Sequence, residues 1–518
     1  MDVSRPLPLT PYRGALADLS CNAGSLASEL ERAAHLPSIQ LGQDAILDLE
    51  LLATGALSPL DHYPTEQELT SILRSSRLPN GLYFPYPLSL ASESRFDEGA
   101  EITLRDAHNV RLAILRVGES FEQDTRLEAE AWGIEEAKLP NRPRFRLSGR
   151  PKVLALPHHP DFPHLRRSPR RMREELTRRG CRTATALSTA EFITVPEFEA
   201  LQAAADGAII VQVIEKALDA RAADHFARVR AHRMLLHRHG TGHTAILNVL
   251  PYCERPHSER AVLTQALIQR NYGAGRLLAD CTSLDSNKLS EGAAELGVEI
   301  TPVERDAGVL PPEVEAVKRE AMPPRHAQGF CVWFTGLPSS GKSTIANVLY
   351  TMLAERGRRS TLLDGDVVRT HLSKGLGFSR EDRDANILRI AFVAGEIVRH
   401  HGAVICAAVS PYEGTRQQAR RMVGDDHFVL VHVATPQEIC ERRDVKGFYA
   451  RARTGTLQGF TGVDDPYESP GFADLTLETT TTTAGENARR ILTWLADHGF
   501  LQADENAGQS SGRREEFL

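Results

Sequence analysis

The chain is predicted to be an α/β protein: two doubly wound parallel sheets behind a β-rich N-terminal region. Three observations carry that prediction. Its 518 residues exceed what one hydrophobic core usually organises. From Asp161 onward, apolar runs such as AIIVQVI and TAILNVL alternate with amphipathic stretches such as DHFARVRAHRMLLHRHG, the pattern of parallel strands joined by crossover helices. After a Pro-rich interval the alternation resumes in FCVWFTG, STLLDGD, GAVICAAVSP and FVLVHVATP, with a helical segment before each next strand.

Taken in order, residues 1–157 carry short alternating runs (ITLRD, VRLAILRV, PKVLALP) between Pro- and Gly-containing turns and read as a mixed, largely β domain. Residues 158–300 open on the basic helix SPRRMREELTRRG and form the first α/β unit. Residues 301–327, which include PPEVEAVKREAMPPRHA, are Pro-rich and charged and suit an exposed linker. Residues 328–502 form the second α/β unit. The tail 503–518, ADENAGQSSGRREEFL, is polar enough to be expected without fixed structure.

Composition bounds the function. A hydrophobic fraction of 41% and a charged fraction of 25% are ordinary for a soluble globular protein. No apolar run approaches bilayer length and the start MDVSRPLPLTPYRG has no apolar core, so no membrane partner, no secretion and a cytoplasmic location are expected. A net charge of −7 disfavours nonspecific binding of nucleic acid, while local clusters of Arg and Lys can still hold small anions. The seven cysteines are scattered without a CxxC pair and read as reduced and mostly buried. Two groups of histidines, His158, His159 and His164, and His225, His232, His237, His239 and His243, invite a metal-site reading. His239 and His243 lack an intervening catalytic Glu, and Gly240 and Gly242 break any helix between them, so surface or partner-facing roles are expected instead.

Gly336, Leu337, Pro338, Ser339, Ser340, Gly341, Lys342 and Ser343 satisfy the phosphate-loop pattern, led in by the strand FCVWFT and followed by the helical STIANVLYTMLAER. Such a loop curls so that backbone N–H groups and the helix N-terminus, here including Thr344, face phosphate oxygens. Lys342 is expected to reach the β- and γ-phosphates of ATP, and the Ser343 hydroxyl to ligate Mg²⁺. The second strand of this unit ends in Leu363-Asp364-Gly365-Asp366, which places two carboxylates at the ligand-binding edge of a parallel sheet. One carboxylate can accept the proton of an attacking hydroxyl while the other, assigned as Asp366, holds Mg²⁺. Standing alone, Asp-Gly-Asp also fits a plain turn.

The run LDGDVVRTHLSKGLGFSREDRDANILRIAFVA, the segment VSPYEGTRQQAR and the stretch CERRDVKGFYARARTGTLQGFTGVDDPYE resemble, in that order, the blocks of the adenylylsulfate (APS) kinase family. The resemblance covers about residues 328–500. It implies transfer of the γ-phosphoryl of MgATP to the 3′-hydroxyl of adenosine 5′-phosphosulfate, giving PAPS and ADP. It also implies that Arg369, Phe378, Arg383, Asn386, Lys446 and Phe460 hold APS, the two rings flanking adenine. Cationic groups suit a phosphosulfate anion and aromatic faces suit a purine. Taken singly, Phe378 and Phe460 fit a hydrophobic core as well; their Gly-rich, charged setting favours the ligand. Arg442, Arg443, Arg451 and Arg453 add positive charge in the lid segment, where Arg442 and Arg451 are assigned to ATP and a solvated helix competes for at least two of the four. Ser410 is assigned to catalysis at a family position described as phosphoserine. In-line transfer needs no covalent intermediate, so a Ser-Pro turn placing its backbone against substrate is the alternative. The chain departs from the family pattern at Val445, where proline is usual, and at Pro338-Ser339-Ser340, where Ser-Gly-Ala is common. Neither change removes a charged group.

The segments DLELLATGALSPLDHY, RLPNGLYFPYPLSL, EAEAWG, DHFARVRAH and LIQRNYGAGRLLAD resemble the ATP sulfurylase family over about residues 45–300. This resemblance implies a PUA-like domain followed by a Rossmann-like sulfurylase domain, an arrangement similar to PAPS synthetases. The family's QTRNPxHRAH segment, whose Arg and Asn grip sulfate and whose histidines meet ATP phosphates, is here ALSTAEFITVPE. In register those four groups become Ala190, Glu191, Thr194 and Glu197, and the second signature GRDHAGPG becomes DCTSLDSN. An inactive, structural or regulatory sulfurylase-like region is therefore expected. The alternatives are a bifunctional enzyme with a working sulfurylase and a nucleotide sensor without turnover. Retention of Lys342, Ser343, Asp364, Asp366 and Arg383 argues against the sensor. Both families imply a homo-oligomer, dimer or hexamer.

Overall fold

The structure, a computed structural model, describes residues 8–139, 143–205, 207–216, 224–239, 244–304, 308–377 and 379–502. It divides into two compact units, Met1–Met322 and Pro323–Leu518.

The first unit begins with α1 (Leu26–His35), β1 (Ser38–Gln40), α2 (Gln43–Ala53), α3 (Glu66–Ser75), β2 (Leu90–Ser92), β3 (Glu101–Arg105), β4 (Arg111–Arg116), β5 (Ser120–Glu122), α4 (Thr125–Trp132), β6 (Phe145–Leu147) and β7 (Pro151–Val153). Two small sheets, ordered β1-β3-β4-β7 and β2-β6-β5, carry the β character. In the first, antiparallel β3 and β4 set buried Ile102 opposite Leu115 and Leu104 opposite Ala113. Helices take a larger share than the alternating runs indicate. In α2, Leu47, Leu49, Leu51 and Leu52 are all buried, so their near-unbroken apolar run marks a helix sunk into the core rather than a strand.

The same unit continues with α5 (Pro169–Arg178), β8 (Ala184–Thr189), α6 (Val195–Ala203), β9 (Ala208–Lys216), α7 (His225–His239), β10 (Thr244–Cys253), α8 (Glu259–Tyr272), β11 (Arg276–Ala279), α9 (Ser286–Leu296), β12 (Glu299–Pro302) and α10 (Pro312–Ala321). The sheet is parallel throughout, in the order β10-β9-β8-β11-β12. Every residue of β8 is buried, as expected for a strand covered on both faces. Residues 312–321, within the exposed linker expected at 301–327, form a helix instead. Pro312 stands in the first turn of α10 beside Glu313 and Glu315, and Val314 and Val317 are buried in the core that also contains Val229 and Leu235 of α7. The prolines start a helix, where a missing N–H costs nothing.

The second unit contains β13 (Phe330–Thr335), α11 (Lys342–Glu355), β14 (Ser360–Asp364), α12 (Gly365–His371), α13 (Arg380–Arg399), β15 (Ala403–Ala407), α14 (Glu413–Val423), β16 (Phe428–Val433), α15 (Gln437–Arg443), α16 (Phe448–Arg453), β17 (Leu475–Leu477) and α17 (Ala484–Asp497). Its parallel sheet has the order β14-β15-β13-β16-β17. Phe330, Val332 and Phe334 of β13 pack with Ile345 and Leu349 of α11 and Ile491 of α17, whereas Cys331 and Trp333 pack with Ile387 and Ile390 of α13. Because β13 leads to neighbours on opposite sides, its C-terminal end is the topological switch point, where such folds bind ligands.

All seven cysteines are free, four of them buried. Among the described residues no helix is long and apolar enough to cross a membrane.

Candidate active site

β13 delivers the chain into the loop 336–341. Gly336 has φ +146°, and a Cβ there would lie 2.6 Å from the Val433 carbonyl oxygen; glycine is required on both counts. The Lys342 ammonium donates to the carbonyls of Gly336 (2.9 Å) and Leu337 (2.7 Å). Burial of this cation pulls its pKa down to about 8. The Ser340 carbonyl accepts from Thr435 Oγ1 and Thr479 Oγ1, both at 3.0 Å, and from Arg443 at 3.4 Å, so β16 and β17 brace the loop from behind.

A cavity of about 550 Å³ opens in front of this loop. Pro338, Ser339, Gly341, Lys342, Ser343 and Thr344 form one wall. Asp364, Gly365 and Arg369 come from the end of β14 and from α12; Arg383, Asn386 and Ile387 come from α13; residues 407–411 come from the end of β15 and the turn after it. The lid segment contributes Arg443, Val445, Lys446, Phe448, Phe460 and Thr461. Asn386 Oδ1 is buried with no hydrogen-bond partner among the described residues, an acceptor available to a donor entering the cavity. Phe460 does two things: it packs edge-on against Tyr449 (centroids 4.9 Å apart) and gives a face to the cavity.

The cavity thus gathers Lys342, Ser343, Asp364, Arg369, Arg383, Asn386, Ser410, Lys446 and Phe460 from seven separate stretches of chain. Gly336, Leu337 and Ser340 stand behind the wall, where their carbonyl and hydroxyl oxygens hold Lys342. Arg442 and Arg451 are exposed and do not line the cavity; Arg443, adjacent in sequence, does. Successive helical residues point about 100° apart, so only one of the Arg442-Arg443 pair can face inward. Arg453 pairs with Glu441 at 2.6 Å instead. Phe378 and the Asp366 side chain lie outside the described residues.

Ser410 occupies a left-handed conformation, φ +45°, and is only 1% exposed. Its hydroxyl accepts from Trp333 Nε1 (3.0 Å), and its carbonyl accepts from Arg416 (2.6 Å) and Thr335 Oγ1 (3.2 Å). Arg416, Trp333 and Tyr412, all buried, and the partly buried Asp465 are supports that the sequence did not reveal. The only available signal was the charged run Asp464-Asp465 in the lid.

At the corresponding edge of the first unit, Thr194 and Glu197 are engaged with each other. They form a capping box at the start of α6, with Glu197 Oε2 accepting from Thr194 N at 2.8 Å. Ala190 is fully buried. In the second altered signature, Asp285 caps α9 by accepting from the N–H groups of Asn287 and Lys288. His232, expected at a surface, is fully buried: its Nε2 accepts from Ile193 N at 3.2 Å, and burial holds its pKa down at about 4. It is a core histidine supporting the altered segment. His159, His225 and His239 each pair with carboxylates, Glu50, Asp161 and Glu313 respectively. No cluster among the described residues has the composition of a metal site.

Comparison with known proteins agrees with both architectures. Family models match a PUA-like domain at residues 9–150, ATP-sulfurylase at 163–280 and adenylylsulphate kinase at 328–478. Sulfate adenylyltransferases of Neurospora crassa and Aspergillus fumigatus are each 34% identical, over 95% of this chain and 99% of theirs. The structure is similar to that of a hexameric APS kinase from Thiobacillus denitrificans, with TM-score 0.73 and 29% identity, covering 96% of this chain and all of that one. The chain therefore belongs to the sulfate adenylyltransferase family, in a PAPS synthetase-like arrangement of PUA-like, ATP-sulfurylase and adenylylsulphate kinase domains in that order.

Proposed function

We propose that the C-terminal domain is an APS kinase, transferring the γ-phosphoryl of MgATP to the 3′-hydroxyl of APS to give PAPS and ADP. The observation that carries this reading is a single cavity joining the phosphate loop to Asp364 and to Arg369, Arg383, Asn386, Lys446 and Phe460. Lys342 and the N-terminus of α11 supply positive charge for the polyphosphate, and the three other cations suit the phosphosulfate. Asp364 takes the 3′-hydroxyl proton as the new O–P bond forms and the bond to the β-phosphate oxygen breaks. The Ser343 hydroxyl on the cavity wall is a hard oxygen donor that fits Mg²⁺, with Asp366 the second ligand assigned from the sequence. Held there, Mg²⁺ would neutralise charge on the transferring phosphoryl group.

The sulfurylase-like region we read as making no APS. Loss of an Arg-Asn anion grip removes charge-assisted hydrogen bonds of about 1.5–3 kcal/mol each, and the replacement Glu191 adds a like charge. The positions of the phosphate-contacting histidines are engaged in capping α6. A second reading, a bifunctional enzyme, is favoured by the 34% identity to sulfate adenylyltransferases along nearly their whole length. A homo-oligomer is the proposed assembly, in line with the hexameric protein of similar structure.

Product analysis tests both halves. Full-length protein with APS and MgATP is expected to yield PAPS and ADP, and no PAPS at adequate enzyme concentration sinks the kinase reading. With ATP, sulfate and pyrophosphatase, phosphate release above background establishes the bifunctional reading instead.

A further inference from the structure

A carboxylate next to a cavity meant for an anion opposes binding unless it has another role. Asp465 is such a group. It lies in the lid segment outside the cavity lining, yet its Oδ2 accepts from Arg383 at 2.9 Å, and Arg383 lines the cavity. The same guanidinium donates to Thr461 Oγ1 and to the Gly459 carbonyl, and its side chain is 9% exposed. The other side of Asp465 is held equally firmly. The hydroxyl of Tyr412, two residues past Ser410 and 2% exposed, donates to the Asp465 carboxylate, with distances of 2.8 and 3.0 Å to its two oxygens. The Arg380 guanidinium lies 4.4 Å from the centre of the Tyr412 ring. The segment that presents Asp465 is itself braced: Gly462 N donates to the Asp465 carbonyl at 2.8 Å, and the Asp464 carboxylate accepts from Gly459 N and Phe460 N, both at 2.5 Å.

One carboxylate therefore ties α13, the lid segment and the turn after Ser410 to a single orientation of Arg383. A long, flexible cation is worth most to a bound anion when its fork is already aimed, because less freedom is then lost on binding. We infer that Asp465 is a positioning residue of the kinase site, aiming Arg383 at the acceptor nucleotide and so setting affinity for the acceptor rather than for ATP. The inference rests on the kinase reading above, and it assigns Tyr412 the secondary role of holding Asp465.

The test compares wild type with Asp465→Asn, Asp465→Glu and Tyr412→Phe in steady-state kinetics with APS and MgATP, in APS calorimetry and in thermal melting. Asp465→Asn is expected to raise the KM and Kd for APS about tenfold or more, with the KM for MgATP and the melting temperature little changed. Asp465→Glu should restore part of the loss, and Tyr412→Phe should shift the same constants in the same direction by less. Unchanged or tighter APS binding in Asp465→Asn, with wild type active, overturns the inference, since the carboxylate then only braces the lid or damps the field. A parallel rise in both KM values with a lower melting temperature in Asp465→Asn and Tyr412→Phe also overturns it. Wild type that neither binds nor turns over APS defeats the kinase reading itself, and the inference with it.

Discussion

Replacing Ser410 by alanine and by glycine separates covalent chemistry from backbone placement. The hydroxyl is the acceptor for the indole N–H of Trp333, a fully buried ring, so Ser410→Ala leaves that donor unsatisfied at a cost of about 1–3 kcal/mol. Ser410→Gly loses the same acceptor but relieves the left-handed conformation, worth about 1 kcal/mol for a non-glycine residue. The glycine variant should therefore be more stable than the alanine variant by about 1 kcal/mol, or about 2–4 °C in the melting of a domain of this size. Because the hydroxyl is already engaged and the Ser410 carbonyl is held by Arg416 and Thr335, both variants should keep turnover within about tenfold of wild type. Calorimetry and a PAPS-formation assay measure the two effects together. A folded alanine variant with wild-type melting would refute the energetic argument. Loss of turnover by about a thousandfold in both variants, with radiolabel from [γ-³²P]ATP on Ser410 of wild type, would refute the positional one.

Asp364→Asn should lower phosphoryl transfer by about 10²–10⁴-fold, the usual share of a general base, while leaving ATP titration curves largely intact; ATP binding lost as fully as activity would reassign Asp364 to the nucleotide. His232 should make the first unit acid-sensitive. Its folded pKa of about 4 lies below the ordinary 6.5, so the unfolded chain takes up the proton first as pH falls. Stability is then full above about pH 6.5 and declines until about pH 4, by about 3 kcal/mol. Hydrogen exchange at Ile193, compared between wild type and His232→Gln at pH 7 and pH 5, should show the gap between them narrowing in acid; identical pH dependence would remove His232 as the cause.

Much of the fold was legible because parallel strands buried on both faces leave continuous apolar runs, and the phosphate loop carries its own turn chemistry. The site was legible as far as chemistry is local: Lys342, Ser343 and Asp364 sit where loop and strand end put them. What failed was directional or long-range. Arg442 and Arg443 are one residue apart on a seven-residue helix, too short for periodicity to say which faces inward. The Trp333–Ser410 bond joins residues 77 positions apart, and nothing local announces that the hydroxyl is engaged. The helix at 312–321 falls in a stretch whose prolines and charges suit an exposed linker, yet Pro312 with Glu313 and Glu315 behind it is also an N-terminal signature. His232 lies on a helix rich in Arg and His, which hid its place in the core.

The capping box at Thr194 and Glu197 sets a limit on redesign. A histidine at 194 would withdraw the hydroxyl that starts α6, at a cost of about 1 kcal/mol, before it could meet any phosphate. A histidine at 197 would leave the Thr194 N–H, now bonded to the Glu197 carboxylate, without its acceptor. Neither position can anchor the helix and grip an anion at once. Restoring a sulfurylase-type grip would thus require moving the helix start elsewhere in the sequence, for example to a new cap upstream, before catalytic groups could be grafted in.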